Sequence, residues 1–398
     1  PLYEELLSKP IENPAGKFGK QYLLLTREGL FDGDDTTSKN SPTSELFESI
    51  NAEQPEKISL IKELHLAGKI AQAETTFEMA NGVFSRLYEV PFVVKIGILR
   101  NLAKSAVVLN RWTEAIKLLD TLSSFAPAND TVNILRIKAA ALAIEFQNRA
   151  LNLGVIAHEF PGAEDYGRKL LEELSGLKLS SSRQEEFKQW RTRLELALSP
   201  TKDHIRQLAQ FTPDGDNAAS MMVGLRATGQ IDTALKVSRK FADNPLVLYQ
   251  VALCQLDRKP QDALEILQQS LTIDPIQPLA MRLLSVLQEK EDLLSDAITS
   301  LEQALEYWPN ESNWHTEAAA LWKRLGNTER PLEHLQIANL YNPQDPQIRR
   351  LLGCALLSAG KNTEALSHLV MVVERKPDDY DTWIALSELY QRTGELDL

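Results

Sequence analysis

A chain of 398 residues with 43 Lys and Arg against 55 Asp and Glu carries a formal net charge of −12 at pH 7. That balance excludes broad, sequence-independent nucleic-acid binding, which needs an excess of cations to neutralise phosphates. Hydrophobic content of 43% with only six Trp, nine Tyr and twelve Phe leaves a core of Leu, Ile and Ala, and no run approaches the ~18 apolar residues of a transmembrane helix.

Residues 1–55 follow no repeat. PLYEELLSKP has the pattern of a short helix ending before Pro10, and ENPAGKFGK has turn chemistry. The apolar run in KQYLLLTREGLF suits a strand or a docked helical turn, and its length does not decide between them. DGDDTTSKNSPTS is polar and expected to be flexible. Asp32, Asp34 and Asp35 suggest a calcium loop, but Thr37 stands where its glycine belongs and Thr43 where its final acid belongs. The first residue is Pro1, so the chain is silent about a leader. The expected protein is soluble, with cytoplasmic slightly favoured over export.

From Glu56 a helical pattern begins, and residues 56–200 read as diverged helix-pair repeats. One pair turns at Gly68 with Ala73 and Ala80 seven apart; the next places Ala115 twelve residues before Pro127. A third, Asn129 to Pro161, offers Ala150 and Ala157, and its Ala139–Ala141 run fits tight helix contact. AEDYGRKLLEELSG and SRQEEFKQWRTRLELAL form a further pair joined near Ser180, the second with a solvated, charge-alternating face. HIRQLAQF is a short helix before the breaker TPDGDN. A repeat-like pair turning at Gly229 follows.

Residues 201–398 then settle into a regular array. Pro275, Pro309, Pro343 and Pro377 lie 34 residues apart. Ala263, Ala297, Pro331 and Ala365 stand twelve residues before them, and Ser270, Ala304, Ala338 and Val372 five before. Gly326, Gly360 and Gly394 keep the same spacing, where a left-handed residue ends a helix. The last unit reads Trp383, Leu386, Ser387, Tyr390, Gly394. On these residues the chain resembles the tetratricopeptide repeat family. The resemblance implies an all-α, right-handed superhelical solenoid of antiparallel helix pairs. The pattern stops at Leu398 after a first helix, so the array is expected to be truncated there, leaving an open edge for self-association.

The resemblance also implies a concave face lined by the first helices. Carried over by position, its residues are Arg282, Val286, Glu289 and Lys290, then Asn313, Thr316, Lys323 and Arg324, then Gln347, Arg350 and Ser358. The last helix adds Asp381, Ile384, Glu388, Gln391 and Arg392. Arg282, Lys290, Asn313, Lys323, Arg324, Gln347, Arg350 and Arg392 form a basic and amide series suited to a peptide or protein segment of acidic character. The lysine and asparagine clamp of chaperone-tail binders is missing: Thr316, Ala320, Arg350 and Cys354 hold its places.

No catalytic motif emerges. His65, His158, His204, His315, His334 and His368 have no metal-ligand spacing, although His334 and His368 occupy equivalent places. Adjacent repeats set such residues about 10 Å apart, too far for a shared ion, so no metal or cofactor is expected. Cys254 and Cys354 read as small buried hydrophobes. Met221 and Met222 read as core. The glycosylation patterns Asn129-Asp-Thr131 and Asn310-Glu-Ser312 occur about as often as chance gives, and both asparagines or their neighbours serve equally well as helix caps. The expected function is a non-catalytic interaction scaffold binding a protein or peptide, without nucleic acid. The alternative is a targeting arm of a larger enzyme, such as a glycosyltransferase, or of an export machine.

Overall fold

The computed structural model describes Leu99 and residues 102–394, apart from 105, 108, 126, 128, 151, 178, 212 and 213. The readings of residues 1–55, of the repeat at Gly68 and of the edge at Leu398 lie outside the described residues. Every regular element among the described residues is an α-helix. The described residues divide into two compact units, unit 1 within 99–146, 160–247 and 272–276, unit 2 within 147–159, 248–271 and 277–394.

Unit 1 contains α1 (Trp112–Phe125), most of α2 (Asp130–Ala150), α3 (Ala163–Glu173), α4 (Gln184–Leu198), α5 (Lys202–Leu208), α6 (Gly215–Ala227) and α7 (Ile231–Ser238). Asn129 caps α2 by accepting from Val132 N at 3.1 Å, and Asp214 caps α6 by accepting from Asn217 N at 2.6 Å, so free amides at both helix starts are satisfied. Ile137, Ile144, Leu170 and Leu194 make a closed core between α2, α3 and α4. The expected solvated face of α4 holds for Glu185 and Lys188, but Arg193 turns inward. It forms a buried two-point ion pair with Glu145, at 3.0 and 2.6 Å, with its guanidinium 4.3 Å from the Trp190 ring centre. Burial opposes the Arg193 charge, but Glu145 together with Asp216 and Asp214 outweighs it, so the pKa moves up.

Asn129 to Pro161 is not the predicted helix pair. After α2 the chain is irregular through Glu159, and Ala157 lies outside any helix. Asn152 at φ 64° and Gly154 at φ 69° take left-handed conformations that no continuing helix admits.

Unit 2 holds the rest of α8 (Pro245–Gln255), most of α9 (Pro260–Ile273), and α10 (Pro278–Lys290), α11 (Leu294–Tyr307), α12 (Ser312–Arg324), α13 (Arg330–Tyr341), α14 (Pro346–Ser358), α15 (Asn362–Arg375) and α16 (Tyr380–Thr393). α10 packs on α11, α12 on α13 and α14 on α15, and each second helix also touches the first helix of the next pair. The periodic residues explain this. Pro275, Pro309, Pro343 and Pro377 each stand two residues beyond a helix end, where a missing N–H prevents continuation. Gly326 and Gly360 turn the chain between helices at φ 78° and 76°; one period earlier Asp292 takes the same role at φ 59°. Ala297, Ala304, Ala338 and Ala365 are wholly buried, and small side chains let helix axes approach within ~8–10 Å. Cys254 is buried as expected, whereas Cys354 is only half-buried. No helix of the described residues is long and apolar enough to cross a membrane.

Candidate functional site

Equivalent positions of consecutive first helices meet in unit 2, as where Arg324 of α12 reaches Glu289 of α10, and a stretch of backbone packs against the same two helices. The stretch Asn152–Glu159, which belongs to unit 2, lies against α10, α12 and the turn before α12. Its entry is held by Tyr249, whose hydroxyl donates to the Arg149 carbonyl at 2.8 Å.

Leu153 is buried, and its carbonyl accepts from Trp314 Nε1 at 2.6 Å and from Arg282 Nε at 3.3 Å. Glu311, the residue before α12, then accepts three bonds. Ile156 N and Ala157 N donate to its Oε2 at 2.6 and 3.2 Å, and His158 Nδ1 meets Oε1 at 2.8 Å. A carboxylate only accepts, so His158 Nδ1 carries the proton. The His158 ring stacks on Trp308 at 4.2 Å between centroids, and Trp308 on Trp314 at 5.5 Å. Glu311 is fully buried; the peptide amides supply the donors that a buried carboxylate requires. At Gly154 an added Cβ would lie 3.5 Å from both Asn313 Cβ and Glu317 Oε1, so α12 meets the backbone closely here.

Of the sequence-predicted site residues, Arg282 and Asn313 come together at this stretch. Arg282 is buried, pairs with Glu317 from the next repeat, and is held below the usual arginine range by burial, against the pull of Glu317. Lys323 and Arg324 stand exposed at the end of α12, where Arg324 reaches back one repeat to Glu289 at 2.6 Å and Asp292 at 3.2 Å. Lys290 is exposed at the end of α10 and Gln347 at the start of α14. Arg350 faces Asp381 at 3.5 Å and Asp379 at 3.8 Å. Arg392 pairs with Glu388 and donates to the Leu357 carbonyl at 2.9 Å. Much of the basic series thus carries carboxylates of its own array. His334 contacts His315 at 3.0 Å, not His368, and no cluster of three metal-ligating side chains occurs among the described residues.

Glu311, Trp308, Trp314 and His158 were not singled out by sequence. Trp308 and Trp314 bracket the turn before α12, a density of tryptophan unusual in a chain with six, but nothing local links them to His158, about 150 residues earlier.

No family model and no curated protein sequence matches the chain. Among solved structures, a crystal structure of MamA overlaps with TM-score 0.36 at 18% identity, over 43% of this chain and 99% of that one. MamA from Desulfovibrio magneticus RS-1 overlaps with TM-score 0.35 at 18% identity, over 41% of this chain and 96% of that one. YrrB, described as a TPR protein with an unusual peptide-binding site, overlaps with TM-score 0.39 at 13% identity, over 46% of this chain and 96% of that one. Overlaps this partial carry no weight for function. The 34-residue spacing and the antiparallel pairing seen in α10–α15 stand on their own: the regular repeats of this chain are tetratricopeptide-type helix pairs.

Proposed function

We propose that the chain is a non-catalytic scaffold that holds a protein segment along the first-helix face of unit 2. The observation that supports this reading is the seating of Asn152–Glu159, a stretch without helix or strand, on α10 and α12 by bonds directed at its backbone. Main-chain hydrogen bonds that give affinity, with side-chain pockets that give specificity, are a recurring means of holding an extended peptide. The partner is expected to engage the stretch beyond that seat, where Lys290 and Lys323 are exposed and acidic side chains would compete with Glu289, Asp292 and Asp381 for Arg324 and Arg350.

A pull-down from lysate with the wild-type chain and the triple variant Lys323→Glu, Arg324→Glu, Arg350→Glu tests this. The expected result is capture by wild type and at least tenfold less by the variant, with an unchanged far-UV circular dichroism spectrum. Equal capture would move the interaction surface elsewhere.

A further inference from the structure

The bonds around Glu311 specify a ligand more narrowly than a solenoid face in general. Glu311 takes two consecutive amides through one oxygen and an imidazole through the other. Trp314 and Arg282 take a carbonyl three residues before the first of those amides, and Trp308 covers the imidazole. Four of these five hydrogen bonds go to backbone atoms that any extended segment possesses; the fifth and the ring stack demand an aromatic donor.

We propose that Leu153–His158 is a ligand bound in cis, and that Glu311, Trp308, Trp314 and Arg282 form a peptide site for a partner segment with a histidine at the equivalent place. This rests on the scaffold reading and deepens it: next to Glu311 the array selects a hydrogen-bond donor, while acidic side chains suit the far end of α12. The hold on the stretch is uneven: Leu153, Val155 and His158 are buried, while Ile156 and Ala157 are exposed. Gly154, in its left-handed conformation, lets the backbone sit against α12, so one β-branched side chain there disfavours the seated form.

The probe is a fluorescent synthetic peptide with the sequence Asn152–Glu159, titrated by anisotropy against the full chain and against the double variant Gly154→Val, Ala157→Pro. The first change strains the seated backbone and the second deletes a donor to Glu311. In the double variant the amides of Ile156 and Glu159, bonded in wild type to Glu311 and to the Ile156 carbonyl, are expected to exchange with solvent at least tenfold faster than in wild type, while those of α10 and α12 stay protected. The probe is expected to bind the double variant at least tenfold more tightly than wild type. Replacing the probe's histidine by alanine, or its Ala157 equivalent by proline, weakens binding at least tenfold. Three results would overturn the proposal: slow exchange persisting in the double variant, no binding to a variant whose stretch has opened, or equal binding by the altered probes. The charge-reversal pull-down reads Lys323, Arg324 and Arg350, outside this seat, so partner capture can survive the failure of the cis-ligand proposal.

Discussion

His315 and His334 illustrate how much a single contact can dictate. His315 Nε2 lies 2.9 Å from the Pro309 carbonyl and His334 Nε2 3.3 Å from Glu302, while the two Nδ1 atoms face each other at 3.0 Å. The two outer contacts each need a ring N–H, and the central contact has room for one proton at most. Two neutral rings supply the outer protons; a single added proton fills the centre; a fourth has no place. Burial is the leading cause holding both imidazoles below their ordinary range, Glu302 and Glu333 opposing it at His334 and Arg330 reinforcing it. The unfolded chain takes up both protons as pH falls through about 6.5, and the folded pair takes at most one. Unfolded chains therefore bind more protons in acid, and stability is lost as pH falls from about 6.5 to 5, by about 1.4 kcal/mol per pH unit for each excluded proton. His334→Gln removes one of the paired titrations. Urea unfolding between pH 5 and 7 should show a shallower acid loss in that variant than in wild type; equal slopes would remove the pair from the account.

At the scale of helices, one glycine controls an approach. A Cβ built on Gly353 in α14 would sit 2.7 Å from Cδ2 of Leu369 in α15, and Leu369 is fully buried. Alanine is the better helix former by about 1 kcal/mol, yet overpacking a rigid contact costs about 1–3 kcal/mol. Gly353→Ala should thus destabilise by up to about 2 kcal/mol in wild type. In a Leu369→Ala background the clash is gone, so the same change should stabilise by about 1 kcal/mol. A double-mutant cycle from chemical denaturation reads that reversal of sign, and simple additivity would contradict it. The glycines that turn pairs, the alanines between them and the prolines beyond them were legible from sequence because each acts through its own backbone or its own small size. Asp292 in a glycine's place was not, since its left-handed turn is held by its setting. Ala157 misled because it copies the alanine spacing, while Asn152 and Gly154 on either side of Leu153 break the helix. The Glu311 site joins residues some 150 positions apart, and periodicity carries no signal over that separation. Residue numbers for the first-helix positions were legible; their carboxylate partners one repeat away, such as Glu317 for Arg282, became visible only with the pairs stacked.

For the molecule, stacking makes stability a local quantity within unit 2. Helix contacts there run between neighbours: α13 to α14, α14 to α15, α15 to α16. In such an array each pair depends on its intrinsic stability and the interfaces on either side, so damage should spread only as far as the next interfaces carry it. Leu386 in α16 is buried against α14 and α15 with Leu369, Val373 and Leu389. Leu386→Ala removes about 2–5 kcal/mol of packing. Leu301, fully buried in α11, serves as the reciprocal position at similar expected cost. Native-state hydrogen exchange separates the two variants. Leu386→Ala should accelerate exchange through α14–α16 and leave α10–α12 near wild type, and Leu301→Ala should do the opposite. A uniform acceleration in either variant would mean that unit 2 opens as one cooperative body. A seated Asn152–Glu159 would then be released only by unfolding the whole unit. Under the cis-ligand proposal, local opening would let the segment on α10 and α12 exchange while α14–α16 keep their structure.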